Sequence, residues 1–143
     1  MISDYDLCIA IASHIEKKYG LWAKPLDFTD EERPVIVVLT IDGIIGNGGF
    51  DCLFESIMPG DPDYMHVLNS FEKIKCFKAL EIIKKVLCHF PNSLPPQDDE
   101  ERLRIWKRVP RRVRSKLDDE FYAESDNIIR CLAEYIRINN LSA

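Results

Sequence analysis

Histidine is scarce in this chain of 143 residues, with only His14, His66 and His89. None stands in a His-Glu-x-x-His pattern or beside a serine or cysteine in a hydrolase-like context, so each reads as a surface or satisfied interfacial histidine. The five cysteines (Cys8, Cys52, Cys76, Cys88, Cys131) are odd in number and contain no Cys-x-x-Cys pair. That spacing excludes a zinc ribbon and a thioredoxin-like redox pair, and it reads as reduced, mostly buried thiols acting as small apolar residues. Cys88-His89 with distant Cys76 falls short of a metal-ligand set. Long hydrophobic runs are missing too: Val35 to Ile41 stops at Asp42 and is far too short for a bilayer span. The acidic start, Met1 to Asp6, lacks the basic and apolar regions of a secretory signal. A cytoplasmic protein without membrane attachment is the expectation.

Other templates also fail. Gly46-Asn47-Gly48-Gly49 has no lysine and matches neither phosphate-cradling pattern. Pro62-Asp63 with Glu72-Lys73 lacks the Glu-x-Lys spacing of a restriction-type nuclease. Asp118-Asp119-Glu120 reads as a solvated helix face, because adjacent carboxylates on a helix point in different directions. No catalytic residue, cofactor-binding residue or metal ligand is assigned.

What is present is a 46% hydrophobic chain with 24 acidic and 19 basic side chains, a net charge of -5. The length suits one domain, residues 1–143, and the composition excludes disorder. Ser3-x-x-Asp6 predicts a helix start, with Leu7, Ile11 and Ile15 at helical spacing until Gly20. Trp22, Pro25, Leu26 and Phe28 form an apolar connector expected to lie on the core. Thr29-x-x-Glu32 is a second capping box. Val35 to Ile41 has the β-branched content of a strand, yet no other segment offers a partner, so a buried helix is predicted. Gly46 to Gly49 must break it, with Asn47 suited to capping a chain end and Phe50 anchoring the turn. Helical spacing then runs through Phe50, Leu53, Phe54 and Ile57. Asp61-Pro62 starts a helix with Met65, Leu68 and Phe71 inward. Phe77, Leu80, Ile83, Leu87 and Phe90 line the next, with Lys78, Glu81 and Lys85 outward. Asp98 opens a charged helix that Pro110 interrupts, and a last helix buries Ile129, Leu132 and Ile136. The fold class is all-α, about six to eight helices.

Asn47-Gly48-Gly49-Phe50 with Leu53-Phe54, Cys88-His89-Phe90-Pro91, Leu117-Asp118-Asp119-Glu120-Phe121-Tyr122 and Tyr135-Ile136 occur in this order. Together they resemble the DNA-mimic-protein (DMP-type) family of small bacterial helical proteins, over about residues 29–140. Residues 1–28 add an N-terminal helix and the connector. The resemblance implies the family's helical fold and an acidic surface that imitates duplex phosphates to occupy a DNA-binding protein. Ile44, Cys52 and Ser56 stand where the family has glutamate, glutamine and asparagine, which favours reading the glycine turn as architecture.

Charge is unevenly spread. Residues 1–63 hold twelve acids and four bases. Asp27, Asp30, Glu31, Glu32, Asp42, Asp51, Glu55, Asp61 and Asp63 form the expected partner-binding face. Against it stands a basic run: Arg102, Arg104, Lys107, Arg108, Arg111, Arg112, Arg114 and Lys116. Three readings follow. The first is a non-enzymatic module whose acidic face binds another protein, such as a DNA-binding regulator, nuclease or toxin, with a homodimer compatible. The second is a nucleic-acid-binding module built on the basic run. The third is an enzyme of unrecognised type.

Overall fold

The computed structural model describes residues 1–56 and 64–143. The Ile57 position, Pro59-Gly60, the Asp61-Pro62 helix start and the acidic positions Asp61 and Asp63 lie outside the described residues. Among the described residues the fold is all-α. It comprises α1 (Asp4–Tyr19), α2 (Arg33–Glu55), α3 (Met65–Lys73), α4 (Phe77–Leu87), α5 (Asp99–Arg108), α6 (Arg111–Tyr122) and α7 (Ser125–Ile138), with short 3-10 turns at Pro25–Asp27 and Pro91–Ser93.

Local chemistry sets the boundaries. Asp6 N–H donates to Ser3 Oγ at 3.1 Å, acids occupy the first turn of α1 and Lys17 and Lys18 the last. That order complements the helix dipole. Gly20, at φ 90°, ends the helix in a conformation that favours glycine. The second capping box is reciprocal: Glu32 N–H donates to Thr29 Oγ1 at 3.2 Å, and Thr29 N–H to Glu32 Oε1 at 3.1 Å. Asp98 caps α5 through Glu101 N–H at 3.0 Å.

The β-branched stretch is helical, as its isolation requires. Val35, Val37, Val38, Ile41 and Ile45 are all fully buried in α2. This helix is long and apolar enough, by length and composition, to cross a bilayer. Here it is the central pillar, contacting α1, α3, α5, α6 and α7. Burial among these neighbours outweighs the modest helix-propensity cost of Val and Ile. At its lower end Phe50, Phe54, Phe90, Trp106 and Phe121 interlock, with Phe54 and Phe90 centroids 4.8 Å apart and Phe50 and Phe121 5.6 Å apart.

The structure corrects several inward assignments. Trp22 is 94% exposed and Leu26 74%; only Pro25 and Phe28 of the connector reach the core. In α3 the buried face is Val67, Ser70 and Phe71, flanked by Tyr64 and Ile74, while Met65 is exposed. Phe77 is exposed as well, because the buried arc of α4 centres on Ala79, Ile82, Ile83 and Val86. In α7 Ile128 takes the deep position, and Ile129 is half-buried. Only Cys8 and Cys76 are buried thiols; Cys52 and Cys131 are half-buried and Cys88 is exposed. Burial pushes the Cys8 thiol up to about 11, so it stays protonated and unreactive at neutral pH.

Glu32 ties the end of α1 to the start of α2. Its Oε2 lies 3.2 Å from Lys18 Nζ, and its Oε1 accepts from Tyr19 Oη at 2.7 Å. Burial alone would raise its pKa, but hydrogen bonds from Tyr19, Thr29 and Lys18 outweigh it and hold the carboxyl at about 2 against the ordinary 4.5. A depressed carboxyl stabilises the fold above its unfolded pKa. This contribution, about 2 kcal/mol after allowing for solvent screening, is therefore present above pH 4.5 and lost as pH falls toward 2. Glu32→Gln should lower stability at pH 7 by a similar amount and flatten the loss between pH 4.5 and 2. Urea unfolding at pH 7 and pH 3 checks this; an unchanged pH slope in the variant would assign the slope to other groups.

Candidate interaction surfaces

The glycine turn is narrower than the sequence suggests. Helical geometry continues through Gly46 and Asn47 and breaks only at Gly48 (φ -171°) and Gly49 (φ 74°, ψ -166°). Phe50 N–H, freed by the break, donates to Asp118 Oδ1 on α6 at 2.9 Å. The cap thus comes from a residue 68 positions away, while Asn47 points to solvent. Asp118 is therefore a structural ligand of the kink and not part of a solvated face. Burial raises its pKa, partly opposed by the Phe50 N–H bond. Together with the packing of Phe50 on Phe121, this contact joins two segments on which the sequence resemblance rests.

The predicted acidic face is only partly available. Glu32 is buried and engaged as described. Asp51 Oδ1 accepts from Trp106 Nε1 at 2.8 Å and lies 3.4 Å from Arg114 Nη1. Asp42 is half-buried, and burial raises its pKa, partly opposed by the Ser125 side chain. Asp27, Asp30, Glu31 and Glu55 remain exposed. Asp27 Oδ2 accepts from Lys24 N–H at 2.7 Å, and Asp30 pairs with Arg33 at 3.0 Å. Asp27, Asp30 and Glu31 gather before the start of α2, whereas Glu55 closes its far end, beyond the break at Gly48 and Gly49. One continuous acidic sheet is not what the fold builds. Beside the first group, Leu21, Trp22 and Leu26 stand out from the connector, 88%, 94% and 74% exposed.

The basic run divides in the same way. Arg102 is buried, donating to the carbonyls of Phe54, Pro96 and Gln97 at 2.8, 3.1 and 3.1 Å. Arg114 is mostly covered, with its Nε 2.9 Å from the Val109 carbonyl. Arg104, Lys107, Arg108, Arg111, Arg112 and Lys116 are exposed. Arg112 and Lys116 flank a groove of about 690 Å³ between α4 and α6, floored by Val113 and Leu117. Across it stand Lys85 and His89, which the sequence marks only as outward or surface residues. Their helical phase signalled exposure, but only the packing of α4 on α6 sets them opposite Arg112 and Lys116. Among the described residues no group of three His, Cys, Asp or Glu side chains is placed to hold a metal.

No curated protein and no solved structure matches the chain. A family model described as DMP19-like protein matches residues 26–139, from the connector through α7. The match takes in the kink, the Asp118 cap and the Phe50–Phe121 contact that binds its two characteristic segments. This chain belongs to the DMP19-like protein family.

Proposed function

We propose that the chain is a non-enzymatic, cytoplasmic protein-interaction module that inhibits or shields a basic nucleic-acid-binding protein, in the manner of a DNA mimic or immunity protein. The observation that carries this reading is the pairing of an exposed tryptophan with neighbouring carboxylates. Trp22, Leu21 and Leu26 project from the connector that also bears Asp27 and leads into Asp30 and Glu31. Buried aromatic anchors supply most binding energy at protein interfaces, and rim charges steer the encounter. Exposed apolar side chains next to acids suit a basic partner with an apolar socket. Glu32, Asp42 and Asp51 are committed to the fold and take no part.

Trp22→Ala is expected to leave stability within about 0.5 kcal/mol, because the side chain is almost fully solvated. It should weaken partner binding by about 2 kcal/mol, roughly thirtyfold. The double variant Asp30→Lys with Glu31→Lys should slow association and reduce its salt dependence. Capture from lysate of the cells of origin, with wild type and both variants at two salt concentrations, identifies the partner. Titration calorimetry then measures the losses, and duplex DNA should compete the chain off. A partner that ignores DNA, or that binds Trp22→Ala unchanged, overturns the reading.

A further inference from the structure

The groove between α4 and α6 is a second surface with a different chemistry. Lys85 comes from α4, and Arg112 and Lys116 from successive turns of α6, so three cations from two elements face one hollow. Among the described residues none of the three is in a salt bridge; Arg114, from the same run, is held by Asp51. The floor is apolar, formed by Val113 and Leu117. We propose that this groove binds an acidic amphipathic peptide segment of a partner protein, with apolar side chains on Val113 and Leu117 and carboxylates against Lys85, Arg112 and Lys116.

Charge complementarity selects this occupant over a nucleic acid. Glu120 lines the groove, and the adjoining hollow brings in Glu81 and Glu124, the latter 3.5 Å from Lys78 Nζ. A phosphate backbone, charged at every step, would meet these carboxylates on leaving the cationic stretch. A short peptide places its charges only where cations stand. Trp106, the aromatic residue inside the basic run, is fully buried and offers no stacking platform for bases. The peptide's apolar face gives the floor a role, as in other helix-in-groove complexes. The site is separate from the Trp22 connector, so it stands or falls independently of the function proposed above.

The test uses a fluorescein-labelled peptide of glutamate and leucine in amphipathic order, about three helical turns long, read by anisotropy against the full chain. Wild type should bind it, and a peptide of the same composition in scrambled order should bind at least about fivefold more weakly, since only the ordered one seats leucines on the floor. Arg112→Glu with Lys116→Glu should weaken binding at least about tenfold. Arg104→Glu with Lys107→Glu changes net charge equally outside the groove and should weaken it less than about threefold. Arg112→Gln with Lys116→Gln, checked by thermal melting, serves if the reversed variant does not fold. Absence of binding, equal losses in the two double variants, no preference for the ordered peptide, or equally tight binding of an oligothymidylate of the same charge would each overturn the proposal.

Discussion

Arg102→Ala is expected to lower the free energy of unfolding by about 4 kcal/mol, a large fraction of the 5–15 kcal/mol typical of a domain. The guanidinium is 1% exposed and donates to three carbonyls, two in the approach to α5 and one near the end of α2. Hydrogen bonds from a charged donor are among the strongest in proteins, and each carbonyl left buried without a donor costs about 1–3 kcal/mol. Alanine also leaves the volume of the long side chain unfilled next to the aromatic cluster. Lysine in its place has a single ammonium and cannot reproduce the planar fork, so Arg102→Lys should fall between wild type and alanine. Urea unfolding should report a lower midpoint with an unchanged slope. A loss below about 1 kcal/mol would mean that water replaces the guanidinium at these carbonyls.

Gly49→Ala is the second large effect, with an expected loss of at least about 3 kcal/mol. Two costs coincide there. The backbone, at φ 74° and ψ -166°, occupies a region essentially reserved for glycine. A Cβ at this position would also sit 2.5 Å from Asp118 Oδ2, inside the carboxylate that caps Phe50. Removing the carboxylate separates them: in Gly49→Ala with Asp118→Ala the clash is gone, yet the backbone strain and the lost cap remain. The double variant should therefore be less destabilised than the sum of the two single changes. Gly43→Ala is the internal control. Gly43 lies in the helical part of α2 with open space where a Cβ would stand, so alanine there should stabilise by about 0.5–1 kcal/mol. Loss of stability at position 43 comparable with that at 49 would sink the account.

The sequence carries the secondary structure of this fold better than the destinations of its side chains. Ser3, the Thr29–Glu32 box and Asp98 act on amides within three residues, so their motifs announce them. The helical state of Val35 to Ile41 follows from the lack of a partner strand, a property of the whole chain that is still visible in it. Asp118, Asp51 and Arg102 look like surface charge in the sequence because a partner that fixes each of them lies 48 to 68 residues away. Nothing local distinguishes a carboxylate that caps a distant kink from one that faces water. Trp22, Met65 and Phe77 fail for another reason. Each is apolar at or near the end of a helix, where the chain enters or leaves the core layer and helical phase no longer dictates direction. The resemblance overcame part of this limit, because its two most specific motifs prove to touch.

The two tryptophans give this protein a pair of built-in optical probes. Trp106 is sealed in the aromatic cluster with its indole N–H on Asp51, while Trp22 is bathed in solvent. Soluble quenchers should reach only Trp22 in the folded chain, whereas unfolding should red-shift only the emission of Trp106. A partner that covers the connector would protect Trp22 from quenching and leave the other signal untouched. Binding and folding are thereby readable separately, in one cuvette and without a label.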